Sequence, residues 1–207
     1  MKLHVFALCA LLTVSVSSFA QDVEFGIKGG LNFSSINVDP QEDLPNPDSR
    51  IGFHLGGVAN FGLSEKLDVQ SELLLNTVGA KFEGVDDIER VKLTYLSLLG
   101  AFKYNIDENF NIVLGPQINL LTGGEFEEED KIENSKESLD ANNFYKGTDF
   151  SLALGVGYKI DDNIELGVRY NIGLTDNNDD AIEEGFFDSN QALKNRFIQL
   201  SAIFFFD

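Results

Sequence analysis

One pattern limits the fold more than any other: apolar and polar residues alternate, one by one, along most of the chain. In FGIKGGLNFS, residues 25–34, one set is Phe25, Ile27, Gly29, Leu31 and Phe33. The other is Gly26, Lys28, Gly30, Asn32 and Ser34. Successive side chains leave opposite faces of a β-strand, so this segment is a strand with one apolar and one polar face. Helical spacing of apolar residues is absent from such windows.

The alternation predicts eight strands, over residues 23–34, 51–61, 67–81, 91–104, 110–123, 148–160, 164–175 and 195–206. On the second, Ile51, Phe53, Leu55, Gly57, Ala59 and Phe61 share the apolar face. The seventh sets Ile164, Leu166, Val168, Tyr170, Ile172 and Leu174 against Glu165, Gly167, Arg169, Asn171 and Gly173. The fourth is almost wholly apolar; Ser97 and Lys103 assign Leu96, Leu98, Phe102 and Tyr104 to its apolar face. The connections alternate too. Those at 62–66, 105–109 and 161–163 are short, whereas those at 35–50, 83–90, 124–147 and 176–194 are long. The fold class expected is therefore all-β: an eight-stranded antiparallel up-and-down transmembrane β-barrel, short turns at its periplasmic end and long extracellular loops at the other.

Residues 1–20 read as an export signal. Lys2 supplies the positive start, Val5 to Val16 the apolar run, and Ser18-Phe19-Ala20 a small-x-small cleavage site. Residues 21–207 are then the barrel domain. The single cysteine, Cys9, falls in the signal, so the exported chain has no disulfide to close. With 34 acidic residues against 15 basic ones, nucleic acid is excluded as a partner.

Alternation does not say whether the apolar face meets lipid outside or a ligand inside, as in a soluble lipocalin-like barrel. Three features favour lipid. Aromatic residues gather at the two ends of the apolar face: Phe61, Tyr104, Phe110, Tyr158 and Phe206 near the short turns, Phe33, Phe53 and Phe150 near the long loops. The long loops hold 4, 4, 8 and 6 acidic residues against 1, 1, 3 and 1 basic ones, while the polar face of the strands balances Glu24, Asp68, Glu72, Asp149 and Glu165 with Lys28, Lys103, Lys159 and Arg169. Enclosed charges need that balance, because an unpaired buried charge is costly. Glycines on the polar face leave room in a narrow interior. The tight turn at 160–164 sets a register in which Lys159 faces Glu165, a cross-strand pair worth roughly 0.2–1 kcal/mol, and Gly155 faces Arg169.

FGIKGGLNFS, DVQSELLLNTVGAKF, GPQINLL, FSLALGVGYKI, ELGVRYNIGLTD and NRFIQLSAIFFF together resemble the outer-membrane β-barrel domain called "porin family protein" in Gram-negative bacteria, small barrels similar in architecture to OmpX and OmpA. The resemblance runs through the whole exported chain. It implies a place in the cell outer membrane, among lipid and lipopolysaccharide, after insertion by the barrel-assembly machinery with the last strand as signal. The chain departs from the pattern in that Asp207 follows Phe206, where the family usually ends on an aromatic. The family brings no catalytic residues.

No catalytic, cofactor-binding or metal site is expected. His54, inward on the second strand, would need a Ser or Asp partner near the outer rim to serve an enzyme, and no motif marks one. DNNDDAIEEG, 176–185, matches an EF-hand loop at Asp176, Asn178 and Asp180, but Ala181 replaces the turn glycine and Phe187 stands at the last ligand position. EFEEEDKIE, 125–133, reads as a mobile solvated segment. The expected role is that of a monomeric structural or surface-interaction protein with an unidentified extracellular ligand. A narrow, weakly cation-preferring pore is the alternative, and an outer-membrane enzyme ranks below both.

Overall fold

The computed structural model describes residues 23–39, 48–83, 87–130, 135–140, 147–176 and 192–206. The expected signal, 1–20, and all of 176–187 beyond Asp176 lie outside the described residues. Nine strands are described: β1 (Val23–Asp39), β2 (Asp48–Ser64), β3 (Leu67–Glu83), β4 (Asp87–Asn105), β5 (Phe110–Asp130), β6 (Ser135–Asp140), β7 (Thr148–Lys159), β8 (Ile164–Gly173) and β9 (Ala192–Phe205). Every pairing is antiparallel, and the order β4-β3-β2-β1-β9-β8-β7-β5 closes through a β4–β5 ladder. This is an eight-stranded barrel; β6 is an extra strand that pairs with the outer end of β5.

The apolar face is the outer face. Phe25, Ile27, Leu31, Phe53, Leu55, Leu154 and Leu200 are all exposed, whereas Lys28 and Asn32 are 2% and 0% exposed. The phase expected for the fourth strand holds as well: Leu96, Leu98, Phe102 and Tyr104 point out, Ser97 and Lys103 in. On each strand the outward apolar row runs for about ten residues, the length a tilted strand needs to cross a bilayer. Both groups of aromatics lie on this outer face, with the Phe110 and Tyr158 rings 4.8 Å apart near the short turns. At the opposite end the rows stop at hydroxyls: Ser35, Ser49, Thr77, Thr94 and Thr148.

Two of the three short turns share one device. In Ile106-Asp107-Glu108-Asn109-Phe110 the Asp107 Oδ1 accepts the N–H groups of Asn109 and Phe110 at 2.9 and 2.8 Å. In Ile160-Asp161-Asp162-Asn163-Ile164 the Asp161 Oδ1 does the same for Asn163 and Ile164 at 3.0 and 2.7 Å. The Asn109 amide then donates to the Lys159 carbonyl, and that of Asn163 to the Phe205 carbonyl, so each turn is tied to the following strand. The hydrogen bonds to its oxygen hold the Asp107 carboxyl below the ordinary aspartate value, that from Phe110 most of all.

Several strands run past the lipid-facing belt, and here the expectations need correction. All four stretches expected as long connections contain paired strand: 35–50 holds the outer ends of β1 and β2, 83–90 and 124–147 hold those of β3, β4 and β5 and all of β6, and 176–194 holds the start of β9. Glu125 to Asp130 is a paired strand, not a mobile segment, with β4 on one side and β6 on the other. In this crown of β3–β5 the faces exchange roles. Lys81, Arg90, Lys92, Glu125 and Glu127 occupy the outward positions, while Val78, Ala80, Val91 and Leu93 are buried on the inner side, none more than 2% exposed. Lys92 forms ion pairs with Glu127 and, at 3.7 Å, Glu125. The exchange falls at a β-bulge beside Thr94 and Tyr95 and at Gly79 opposite Lys92, whose φ of +150° disfavours a side chain.

Candidate functional site in the barrel interior

The inner face carries the polar chemistry. At the centre Glu72, from β3, receives both arms of the Arg169 guanidinium from β8: Nη1 to Oε2 at 2.7 Å and Nη2 to Oε1 at 2.6 Å. Lys28 Nζ, from β1, donates to the same two oxygens at 3.0 and 3.1 Å, and the Gln70 amide donates to Oε1. Beside this cluster Lys103, from β4, forms a 2.6 Å ion pair with Glu165 of β8 and lies 5.5 Å from the centre of the Phe205 ring. The two carboxylates thus tie β3 and β4 to β8 across the lumen. Bidentate, charge-assisted bonds are the strong kind. The void among Lys28, Gln70, Glu165 and Arg169 is about 20 Å³, room for one water.

The register expected for the β7–β8 hairpin is present: Lys159 faces Glu165 and Gly155 faces Arg169. The ion pair of Glu165, however, is made with Lys103 instead of Lys159. Lys159 lies at the barrel rim, where water already solvates it; Lys103 is fully buried and needs the carboxylate. Opposite the inward carboxylate of Glu165, Gly157 supplies the space, since a Cβ there would lie 2.6 Å from Glu165 Oε1.

Farther toward the long-loop end, amides take over. His54 Nδ1 is 2.8 Å from Asn32 Oδ1, and Gln199 Nε2 donates to Asn32 Oδ1 and Asn76 Oδ1 at 3.2 and 2.9 Å. A second set joins Ser97, Gln117, Ser151 and Asp149 around Asn119, and Asn195 links Asp149 to the Tyr95 hydroxyl. His54 is inward, as expected, but half-satisfied: its Nε2 has no hydrogen-bond partner. Its bonded neighbour is an amide, and no described Ser or Asp side chain is hydrogen-bonded to it. Among the described residues no group of three or more His, Cys, Asp or Glu side chains could hold a metal ion.

Alternation alone did not reveal the inward apolar residues. Val58, Ile203 and Phe205 fill the lumen near the short-turn end, and Leu99, Ala101, Val113 and Ala153 pack together farther along. Their signal was the place where both phases of a strand are apolar, as in LSLLGAF of β4.

Among the described residues no helix is long and apolar enough to cross a membrane; strands make the outward belt. A family model described as an outer membrane protein β-barrel domain matches residues 19–179. The chain belongs to this family. Its place is the cell outer membrane. Among solved structures it is similar to Ail, the attachment invasion locus protein of Yersinia pestis, at 17% identity over 90% of this chain and 100% of that chain, with a TM-score of 0.50. Neisserial surface protein A is similar at 12% identity over 90% and 100%, with a TM-score of 0.49. These likenesses are of fold alone. No curated protein matches the chain in sequence.

Proposed function

We propose that this barrel is a non-enzymatic, monomeric outer-membrane protein that acts through what it presents outside the cell, not through what it passes. The observation that carries the reading is the Glu72 brace. Two cations and a carboxylate span the lumen, beside a void of about 20 Å³, too small for a hydrated solute. The long-loop end concentrates acidic side chains, so its surface suits a cationic partner and repels a polyanionic one. In this reading residues 1–20 are removed on export and the barrel-assembly machinery inserts the remainder. The test pairs two measurements. Planar bilayers containing the protein should show no stepwise conductance, and a polycationic peptide should bind the protein in nanodiscs, with binding lost when the outer segments are trimmed. Open channels in the wild-type protein would overturn the reading, as would peptide binding that survives trimming.

The narrow pore has one observation in its favour, the polar lumen with buried unpartnered atoms such as His54 Nε2 and Asn171 Oδ1. If the lumen can conduct, cutting the brace with Glu72→Ala should raise conductance well above the wild-type level.

A further inference from the structure

The lipid-facing wall is not uniform. A trough of about 500 Å³ crosses β1, β9, β8, β7 and β5. Gly29 and Ala202 form its floor, and Leu166, Tyr158 and Phe110, paired in one line with them, stand along one side. Leu200 and Val168 form part of the ridge above it. The trough exists because Gly29 and Ala202 face each other where bulkier residues stand to either side. Five strands in a row make it about 19 Å long. It is also inclined to the membrane. Gly29 and Ala202 lie midway along their outward rows, Leu166 and Tyr158 lie one position from the short-turn end of theirs, and Phe110 is the first residue of β5. The trough therefore descends from mid-bilayer to the periplasmic interface.

At its lower end stand the turns that carry Asp107, Glu108, Asp161 and Asp162, all exposed. Two basic residues adjoin these turns: Lys159, which belongs to the inward-facing row, and exposed Lys66, whose carbonyl accepts the Asn105 N–H at 2.8 Å on the side away from the trough; the four carboxylates outnumber them. A chain-shaped apolar groove that ends at a carboxylate-rich interface is complementary to one kind of lipid. We infer that the trough seats a single acyl chain of a periplasmic-leaflet phospholipid whose ammonium headgroup rests against the Asp107–Asn109 and Asp161–Asn163 turns, a phosphatidylethanolamine rather than an anionic phospholipid. The trough suits an acyl chain because its length and apolar lining match one, and the acidic turns select the headgroup.

The protein purified from outer membranes in mild detergent provides the test, by native mass spectrometry. The wild type should retain one ethanolamine phospholipid. Ala202→Leu, which fills the floor, should lower the lipid-bound fraction about tenfold. Gly57→Leu, outward on β2 where an added side chain meets nothing within 4 Å, should leave it unchanged. Glu108→Gln with Asp162→Asn should remove the preference for ethanolamine over glycerol headgroups. Heat-modifiable gel mobility establishes that each variant is folded. Should Ala202→Leu not fold, wild type reconstituted in ethanolamine or glycerol phospholipids of equal chain length still decides, with a higher melting temperature expected in the former. A lipid-free wild type, equal loss in Gly57→Leu, preference for anionic lipid, or a trough-dependent dimer would each overturn the inference.

Discussion

The barrel wall and the crown above it are built from the same strands, β3, β4 and β5, yet their faces are opposite. In the wall Leu98 points out and Ser97 in; a few residues farther along β4, Lys92 points out and Leu93 in. On β3 and β4 the period stays at two throughout, on β5 a one-residue bulge shifts it by one, and what changes is the medium outside. Lipid takes apolar side chains at no cost and leaves the lumen to collect polar groups, which must then satisfy one another. Water reverses both preferences. The level at which the faces exchange, near Thr77 and Thr94, marks the outer limit of the hydrocarbon.

The comparison can be broken most severely inside the wall. Glu72→Leu strands Lys28 and Arg169 in the lumen and should cost about 3–5 kcal/mol, read from urea unfolding in lipid vesicles. In the crown the inward side should behave as an ordinary protein core, so Leu93→Ala should cost roughly 2–5 kcal/mol by the same measurement. On the outward side of the wall an arginine is misplaced: Leu154→Arg, at the middle of β7's row, should cost about 2–4 kcal/mol. The outward side of the crown should hardly notice the reverse exchange, Lys92→Leu, at about 0–1 kcal/mol, because its ion pairs are solvated. The smallest effect is expected at the turns. The Asp107 value is depressed in the folded protein, so the stability it adds is present above the unfolded value and lost as pH falls through the folded one. Protection of the Asn109 and Phe110 amides from exchange, relative to the unfolded chain at the same pH, should fall as pH drops through the folded Asp107 value, and Asp107→Asn should remove that dependence.

Most of the wall was legible in the sequence because lipid imposes a strict outward row: alternation put Phe25, Ile27, Leu31 and Phe33 on one face, and the aromatic ends, the balanced polar face and its glycines turned that face outward. The hairpin register was legible too, since a tight turn leaves little choice, and Lys159 does face Glu165. The partner of Glu165 was not, because Lys103 approaches across the lumen, and the distance between inner faces is a property of barrel closure that no local pattern carries. The brace at Glu72 was legible as a balance of charges and not as a geometry. The crown was read as loop because its residues, Glu125 to Asp130 above all, are acidic; their pairing comes from continuation of the ladder with β4, which composition does not reveal.

The central claim is that hydrocarbon meets the outward row and ceases to meet it above Thr94. Spin labels on single cysteines placed at Leu154 and at Lys92, in the exported chain reconstituted in lipid vesicles, test it most directly. The account predicts that oxygen, concentrated in the hydrocarbon, relaxes the label at position 154 while an aqueous nickel chelate does not, and that the order is reversed at position 92. Ready access of the chelate to position 154, or the same response at both, would contradict it.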